Sequence, residues 1–375
     1  MEPTVSCVNQ MALVNSYYQG LLRLRADSVQ LPRGAYTPPP RAPTSLSTSA
    51  SARRQRQRAT ARRRRAERLD TLRAEGKFVP LPAVVREALE RAVAHFGRKR
   101  FDLRAFVPSF VANCVAVSGA PPADDVVHSL PELFLRTVLD DGQLHCNRTD
   151  RLHVATVDGV QVLVPAGSSF AQRDVRELGC IELLERYKLV VLDPPWHNKS
   201  VARGKRYHTF DHTELVRVDV PRLADSVECI LAIWVTNRPR YMTYLREQAL
   251  PSWGFTFHAC WYWLKLGTNG ELVVPLDSTH RLPVETLVVA YRGQDVEHEQ
   301  LLRKRLGTQT RIVLSIPLRH SWKPPPESFF DNDMVAESDK KVELFARELR
   351  SNWTSVGNEV LKFQAASLYQ PVPPL

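Results

Sequence analysis

Short apolar runs alternate with polar stretches of helical length in the part of the chain that follows Ser168. The runs have the length of strands and predict them near residues 187–193, 230–235, 255–263, 286–292, 311–316 and 341–345. Residues 240–249, which lie between Pro239 and Pro251, predict a connecting helix. Strands that alternate with helices are typical of a doubly wound sheet. We therefore predict an α/β domain over residues 167–368.

A smaller mixed pattern precedes this domain at residues 77–166. Between Pro82 and Gly97, apolar residues recur at helical spacing opposite charged ones, which predicts a helix. A second helix is predicted over residues 131–141. Residues 152–164 alternate apolar and polar positions on both sides of an Asp-Gly turn, which is typical of a β-hairpin. These elements predict an accessory α+β region packed on the α/β domain.

Residues 1–76 have the composition of a largely disordered tail, with one weakly helical apolar piece near Met11. Residues 31–52 are rich in Pro, Ser, Thr and Ala, and residues 53–65 contain eight arginines and no acid. Without these eight arginines the net charge of +11 would be +3, so one segment dominates the charge of the chain. Such a run predicts nuclear import, which we favour over a sequence-independent nucleic-acid contact or a merely solvated arm.

Other features of the whole chain exclude several classes of protein. The six cysteines are scattered without a Cys-x-x-Cys pair, which argues against a zinc cluster or a disulfide scaffold and favours a reducing compartment. No apolar run approaches the roughly 18 residues of a membrane span, and no signal-peptide core is evident. No Gly-x-Gly-x-x-Gly follows an early strand, which disfavours a dinucleotide-dependent enzyme. We expect neither membrane association nor secretion.

The candidate chemistry lies where the first strand of the α/β domain ends. Leu189-Val-Val-Leu192 is apolar throughout, as in a strand buried on both faces, and Asp193-Pro-Pro-Trp196 follows it directly. Neither Pro194 nor Pro195 can donate to a sheet ladder, so Asp193 lies at the carboxyl end of an interior strand. Open α/β sheets bind their ligands at that edge.

An exocyclic amine on a nucleobase matches these residue types. The carboxylate of Asp193 and the carbonyl of Pro194 can accept from its two N–H bonds, and Pro194 and Pro195 fix the geometry with little entropy left to lose. Trp196 offers a ring on which a splayed-out base can stack, worth roughly 1–3 kcal/mol. The alternative is an ordinary Pro-Pro turn, and the buried strand before it favours the functional interpretation.

Asp193-Pro-Pro-Trp196 on such a strand resembles the adenine-N6 methyltransferases related to the catalytic subunit of the mRNA adenine methyltransferase. Within that family, Asp193-Pro-Pro-Trp-His-Asn-Lys-Ser200 is most similar to the methyltransferase-like four subgroup. Further segments support the subgroup: Trp234-Val-Thr-Asn-Arg238, Pro251-Ser-Trp253, Pro275-Leu-Asp-Ser278 and Trp353-Thr-Ser-Val-Gly-Asn-Glu-Val-Leu-Lys-Phe-Gln364. The resemblance covers about residues 168–366. It implies a Rossmann-like fold with permuted motif order, in which the methyl-donor elements follow the Asp-Pro-Pro-Trp strand.

The resemblance also implies S-adenosylmethionine as the cofactor and a residue set that binds it. Asp174-Val175-Arg176 is similar to the family's Asp-hydrophobic-Arg motif, which implies contacts with the adenine of the donor. Ser321-Trp-Lys323-Pro324 resembles the family's Ser-His-Lys-Pro, whose lysine holds the methionine carboxylate, and an ammonium suits that anion as a point charge. Arg347 resembles the arginine at the donor ribose, and Asn358 with Glu359 resembles the pair near ribose and adenine.

Three positions depart from the family. Trp322 stands where a histidine is usual, Arg173 where a cysteine is frequent, and His197 where close relatives have an acidic residue. These departures concern the fine geometry of the site more than the class of reaction.

Contacts with the substrate are predicted from a basic loop that follows the catalytic turn, where cations can anchor the phosphates beside a flipped base. The loop residues are Asn198, Lys199, Ser200, Arg203, Arg206 and Tyr207. Trp263 with Lys265 forms a second aromatic–basic group, and the resemblance places Glu285 at the same mouth. A metal site at Asp277, His280 and Glu285 is disfavoured because the chemistry needs no metal. For the accessory region, buttressing of the catalytic domain is favoured over guidance of RNA.

The resulting expectation is a nuclear, S-adenosylmethionine-dependent RNA adenine-N6 methyltransferase that acts as a monomer, with the need for an activating partner left open. The subgroup resemblance implies 2′-O-methyladenosine in small nuclear RNA as the target, whereas the residues alone lead only to the amino group of a nucleobase. The alternatives are adenine methylation in DNA and a catalytically silent RNA-binding scaffold. The intact Asp193-Pro-Pro-Trp196 and Lys323 argue against the scaffold.

Overall fold

The computed structural model describes residues 4–32, isolated positions between 60 and 75, and residues 83–98, 143–180 except 158, 185–196, 211–268 except 237, 271–276 and 282–372. The statements below concern these residues. The helix predicted over residues 131–141 and most of the predicted tail, including the arginine run as a whole, lie outside them.

A ten-stranded sheet forms the centre of the described structure. In chain order the strands are β1 (Thr4–Cys7), β2 (Leu22–Leu24), β3 (His145–Cys146), β4 (His153–Val157), β5 (Val160–Val164), β6 (Ser169–Ala171), β7 (Leu189–Leu192), β8 (Glu228–Val235), β9 (Thr256–Lys265), β10 (Val284–Gly293), β11 (Arg311–Ser315), β12 (Lys341–Leu344), β13 (Trp353–Val356) and β14 (Tyr369–Pro371). The spatial order of the central sheet is β1-β11-β9-β10-β8-β7-β12-β13-β6-β3. Strands β10 and β3 run antiparallel to their neighbours, and the other eight are parallel. The predicted α/β class is confirmed, as are all six predicted strands.

The helices are short relative to the sheet. In chain order they are α1 (Gln10–Ser16), α2 (Ala83–Arg98), α3 (Val220–Leu223), α4 (Pro239–Tyr244), α5 (Leu250–Ser252) and α6 (Val296–Leu306). A π-helical segment, Leu245–Ala249, joins α4 to α5, so the helix predicted over residues 240–249 is confirmed. Short 3₁₀ segments occur at Ala26–Ser28, Val175–Cys180, His212–Arg217, Pro326–Ser328 and Ala366–Leu368. Among the described residues, no helix combines the length and apolar character needed to cross a membrane.

Strand β7 lies in the middle of the sheet and is buried on both faces. Successive strand residues point to opposite sides, so Val190 and Leu192 pack in one core and Leu189 and Val191 in the other. The first core contains residues of α3 to α5, and the second contains Leu302 of α6. This double burial explains why the sequence of β7 is a continuous apolar run.

Residues 4–32 correct the predicted tail. Strand β1 pairs in parallel with β11, and β2 pairs with β14 in a separate two-stranded sheet. Met11 and Val14 of α1 are buried against Trp322. This segment was assigned to the tail because its own sequence offers few apolar residues, whereas the core that covers them comes from the far end of the chain. For residues 4–32 the tail prediction is wrong.

Two elements of the predicted accessory region are described, and both pack on the central domain. Strands β4 and β5 form the predicted hairpin, which is confirmed. Helix α2 buries Leu89 against Leu264 and Ile312. The boundaries drawn at residues 77, 166 and 368 stay predictions.

Candidate active site

Asp193 follows β7 directly and is 6% exposed. Its main-chain N–H donates to the carbonyl of Leu344, the last residue of β12, at 3.3 Å. Because β7 and β12 are parallel, the loops that leave them start at the same edge of the sheet. The carboxylate is therefore held at the edge where the sequence predicted it.

Each oxygen of the Asp193 carboxylate contacts a different cation. The Lys323 Nζ lies 2.9 Å from Oδ1, and Arg347 Nη1 lies 2.7 Å from Oδ2. Lys323 comes from the loop after β11, and Arg347 follows β12 by three residues. Three segments that are distant in sequence thus meet at one carboxylate.

Both loops pass through a left-handed residue that is not glycine. Ser321 has φ 65° and Phe345 has φ 60°, and each precedes the cation of its loop by two positions. Such conformations cost of order 1–3 kcal/mol and persist where the surroundings fix them. The backbone therefore carries strain at both points that bring a cation to Asp193.

The ion pairs continue outward from Lys323 and Arg347. Lys323 Nζ also lies 3.1 Å from Glu285 Oε2, and Glu285 pairs closely with Lys265. On the other side, Arg347 Nε lies 3.1 Å from Glu359 Oε2, and Lys362 Nζ lies 2.8 Å from Glu359 Oε1. We call this row of alternating charges the charge chain: Lys265, Glu285, Lys323, Asp193, Arg347, Glu359 and Lys362. It holds four cations and three anions.

Opposite charges on both sides keep Glu285, Lys323 and Glu359 ionised although these side chains are largely buried. Burial alone would raise the pKa of Glu285, but Lys265 and Lys323 hold it well below its usual range. Burial would likewise raise the pKa of Glu359, and Lys362 and Arg347 lower it. Desolvation opposes the charge on Lys323, yet Asp193 and Glu285 raise its pKa above the ordinary value. The site therefore presents fixed charges at neutral pH.

Asp174 and Asn358, both predicted to face the donor, are brought together next to Glu359 of the charge chain, which follows Asn358 directly in sequence. Arg176 donates to Asp174 from its main chain at 2.9 Å and from Nη2 at 2.6 Å, and Asn358 donates to the same carboxylate. These bonds, that of Arg176 foremost, lower the pKa of Asp174. Gly357 leads into Asn358, and a Cβ there would lie 2.8 Å from the main chain of Ala346, so glycine permits this close approach.

Comparison with known proteins places this geometry in a family. A model of the MT-A70 family matches residues 187–359, which include every member of the charge chain except Lys362. The DNA N6-methyl methyltransferase of Caenorhabditis elegans is 30% identical over 268 residues, which cover 68% of this chain and 70% of that protein. The chain belongs to the MT-A70 family. The family resemblance drawn from the sequence is confirmed.

Two further MT-A70 relatives bear different substrate names. The N(6)-adenine-specific methyltransferase METTL4 of Homo sapiens is 36% identical over 244 residues, 62% of this chain and 48% of the relative. The N6-methyladenosine RNA methyltransferase MTA1 of Pyricularia oryzae is 35% identical over 191 residues, 48% of this chain and 49% of the relative. This chain thus spans about half the length of these two relatives.

The two tryptophans predicted to meet the substrate are buried. Trp196 is 6% exposed, stacks on Tyr241 with ring centroids 4.7 Å apart, and donates its indole N–H to the carbonyl of Trp234 at 2.7 Å. Trp263 is 1% exposed and donates to Ser315 Oγ at 2.7 Å. The structure contradicts an open stacking face at either residue, because their rings pack in the core of the MT-A70 domain.

The acceptor role predicted for Pro194 is compatible with the turn. Its carbonyl accepts the Trp196 main-chain N–H at 2.8 Å, and a carbonyl oxygen has a second lone pair. Pro194 is buried and Pro195 is half-buried. Val175 is 2% exposed and packs in the core beside Val190 and Leu192, so its side chain anchors the turn after Asp174.

Trp322, which departs from the MT-A70 pattern, directly precedes Lys323 in the same loop, and its side chain is buried. Its ring is stacked parallel to Phe363 with centroids 4.0 Å apart, and its indole N–H donates to Glu348 Oε2 at 2.7 Å. The indole ring is therefore accommodated in the core that also contains Met11 and Val14 of α1. It does not occupy the position of the Lys323 ammonium, which contacts Asp193 and Glu285.

Sequence reasoning missed two groups of charged residues. One is Lys362, which the spacing Glu359-x-x-Lys362 on a single turn could have indicated. The other we call the buried network: Arg350, which is 2% exposed, pairs closely with Glu343 and lies 2.5 Å from Glu348 Oε1. Glu343 therefore belongs to the buried network, whereas Arg347, four positions later, belongs to the charge chain.

Several predicted substrate residues lie outside the described part of the chain. These are Asn198, Lys199, Ser200, Arg203, Arg206 and Tyr207, and with them His197, Asp277 and His280. Their roles stay predictions. Lys265 and Glu285 are described and belong to the charge chain. No group of three or more His, Cys, Asp or Glu side chains within the described ranges is arranged to hold a metal ion.

Proposed function

We infer that this chain is an S-adenosylmethionine-dependent methyltransferase that modifies the N6 amine of adenosine in RNA. The observation that carries the proposal is the Asp193 carboxylate, held by Lys323 and Arg347 at the carboxyl end of β7. The family supports adenine as the base, since METTL4 is named an N(6)-adenine-specific methyltransferase and MTA1 an N6-methyladenosine RNA methyltransferase.

The side chains at this edge of the sheet suit the proposed cofactor. Lys323 offers an ammonium for a carboxylate, and Glu359 and Asp174 offer carboxylates for hydroxyl and amino groups. When bound, S-adenosylmethionine supplies the methyl group as an electrophilic sulfonium carbon. Because the positive charge on sulfur makes this carbon reactive and the sulfur a good leaving group, the amine needs orientation more than it needs a strong base.

Asp193 and Pro194 provide that orientation. An ionised carboxylate has about four acceptor positions, and the two cations occupy one on each oxygen, so positions remain for an amine N–H. The Pro194 carbonyl accepts the second N–H. Holding the amine by both hydrogens directs its lone pair, and positioning of this kind accounts for a large share of catalysis. The surplus proton leaves the nitrogen after methyl transfer and passes to water.

RNA is preferred to DNA as the substrate, and 2′-O-methyladenosine in small nuclear RNA is the proposed target. This finer proposal is supported by the sequence resemblance to the methyltransferase-like four subgroup. DNA is the second candidate, because the Caenorhabditis elegans relative that aligns over 68% of this chain is named a DNA methyltransferase. A silent scaffold is disfavoured by the complete set of Asp193, Lys323 and Arg347.

The test is methyl transfer from labelled S-adenosylmethionine to matched RNA and DNA oligonucleotides. Each contains one adenosine, with and without a 2′-O-methyl group, and Asp193→Asn is the isosteric control. Transfer to RNA that increases with the 2′-O-methyl group and falls by about 10²-fold or more in the control supports the proposal. Transfer to DNA alone would contradict the proposal that RNA is the substrate. Failure to bind S-adenosylmethionine would contradict the proposal that the chain is a methyltransferase.

Nuclear import through residues 53–65 completes the proposal, with the chain acting as a monomer. A fluorescent fusion should accumulate in nuclei and should lose that preference when the eight arginines become glutamines. Equal distribution of both fusions would contradict it. Sedimentation of the purified chain tests the oligomeric state.

A further inference from the structure

The loop that carries Lys323 is fastened to the amino-terminal segment. Gln10, the first residue of α1, donates its Nε2–H to the carbonyl of Lys323 at 2.9 Å. Gln30 adds a second contact, because its main-chain N–H donates to the carbonyl of Leu318 at 2.7 Å. The loop is thus held at both ends by residues that lie outside the part matched by the MT-A70 family model.

The Gln10 side chain is part of a buried hydrogen-bonded row. It is 2% exposed, and its Oε1 accepts from Ser315 Oγ at 3.5 Å. Ser315 in turn accepts the indole N–H of Trp263 at 2.7 Å. An amide fixed at both its oxygen and its nitrogen has one orientation, so the donor aimed at Lys323 is fixed as well.

Few other main-chain hydrogen bonds hold the described loop at Lys323: the Trp322 N–H donates to the Arg319 carbonyl at 3.3 Å. Ser321, two residues before it, is in the left-handed region, and Pro324, Pro325 and Pro326 follow it without an N–H to donate. The lysine side chain must span from this point to Asp193 and Glu285 at once. A main-chain shift of about 1 Å would break one of the two contacts, and such shifts can cost 10²-fold in rate.

We propose that Gln10 is a positioning residue for the active site: its side-chain amide fixes the main chain of Lys323 and so holds the ammonium between Asp193 and Glu285. This inference rests on the proposed function only for the identity of the ligand that Lys323 binds, S-adenosylmethionine. The competing interpretation is that Gln10 merely stabilises the packing of α1.

The first variant is Gln10→Met, which keeps the length of the side chain and removes the donor. Its matched control is Asn15→Leu, which removes another side-chain amide of α1, one that accepts the Leu24 N–H at 2.8 Å and does not contact the loop. Both variants should unfold at a lower temperature than the parent chain. Gln10→Met should bind labelled S-adenosylmethionine about three- to tenfold more weakly, whereas Asn15→Leu should bind it within about twofold.

A second variant, Gln10→Glu, gives a readout that mere packing would not produce. A protonated carboxyl can donate its O–H to the Lys323 carbonyl, whereas the ionised form cannot. The loss of cofactor affinity in Gln10→Glu should therefore shrink as the pH falls, and that of Gln10→Met should not. This variant also keeps the proposal testable if Gln10→Met fails to fold.

Hydrogen exchange of the full chain separates this proposal from the proposed function. The amides of Leu318 to Lys323 should exchange several-fold faster in Gln10→Met than in the parent chain and stay unchanged in Asn15→Leu. If the parent chain binds no S-adenosylmethionine, the proposed function fails, and exchange alone decides the role of Gln10. Unchanged exchange and affinity in Gln10→Met, or equal losses in Asn15→Leu, would overturn the proposal.

Discussion

The charge chain and the buried network both join carboxylates to cations, but they are built in opposite ways. In the charge chain each anion touches two cations, and positive charges are in excess. In the buried network the single cation Arg350 serves both Glu343 and Glu348 within the described chain. The charge chain therefore has positive charge available to bind a ligand. In the buried network the charge of Arg350 is used to stabilise the fold.

The pKa directions follow the same division. Neighbouring cations outweigh burial at Glu285 and Glu359 and lower their pKa values. At Glu348, burial outweighs the attraction of Arg350, and the pKa is raised. Similar residue types therefore serve binding or stability according to how many opposite charges each one touches.

The largest expected effect is on stability, in Arg350→Met. Removing the shared cation leaves Glu343 and Glu348 buried without the cation that pairs them, and Glu348 keeps only the Trp322 indole N–H, so the free energy of unfolding should fall by about 3–5 kcal/mol. Urea denaturation monitored by circular dichroism measures it. A loss below about 1 kcal/mol would mean that the buried network contributes little to the fold.

Arg347→Met makes the same change in the charge chain and should have the opposite profile. Asp193 keeps Lys323 and Glu359 keeps Lys362, so neither carboxylate is left without a cation and the free energy of unfolding should fall by less than in Arg350→Met. Methyl transfer under single-turnover conditions should fall by about 10- to 100-fold, because Asp193 loses the contact that fixes Oδ2. If the two arginine variants lost equal stability, the distinction between the networks would fail.

The pH dependence of stability should separate the networks by sign. The lowered pKa of Glu285 contributes stability that is present above the unfolded pKa of about 4.3 and is lost as the pH falls through the folded value. The raised pKa of Glu348 contributes stability that is present below about pH 4.3 and is lost as the pH rises through the folded value. When the pH is lowered, the free energy of unfolding should fall less in Glu285→Gln than in the parent chain. When the pH is raised from 4 to neutral, it should fall less in Glu348→Gln than in the parent chain. Denaturation at a series of pH values measures both, and slopes of equal sign would contradict the assignment.

The smallest effect is expected at the outer end of the charge chain, in Lys362→Met. Glu359 retains Arg347, so Lys362→Met removes only one of the two cations on this carboxylate and none that touches Asp193. Affinity for S-adenosylmethionine should therefore fall by about twofold, as measured by equilibrium binding. A tenfold loss would show that Lys362 contacts the ligand directly.

The sequence was sufficient for the centre of the fold and for the inner residues of the site. Strand β7 could be predicted because burial on both faces requires apolar residues at every position. Asp193, Lys323, Arg347 and Glu359 came from family motifs, and the structure brings all four together. Local patterns and motifs suffice where a residue's role depends on its own strand or turn.

The missed features depend on partners that are remote in the chain. Strand β1 has no strong pattern of its own and is defined by β11. The burial of Trp196 depends on Tyr241 and the carbonyl of Trp234, which a four-residue motif does not include. Arg350 could be assigned to a network only once Glu343 and Glu348 were known to share its interior position.

The contact between Gln10 and Lys323 also has a consequence during synthesis of the protein. The two residues are 313 positions apart, so at about 5–20 residues per second Gln10 waits roughly 15–60 s on the ribosome for its partner. During that time the apolar side of α1 lacks the Leu318, Trp322 and Phe363 side chains that cover it. The core that covers the apolar side of α1 can therefore form only after translation has passed Phe363.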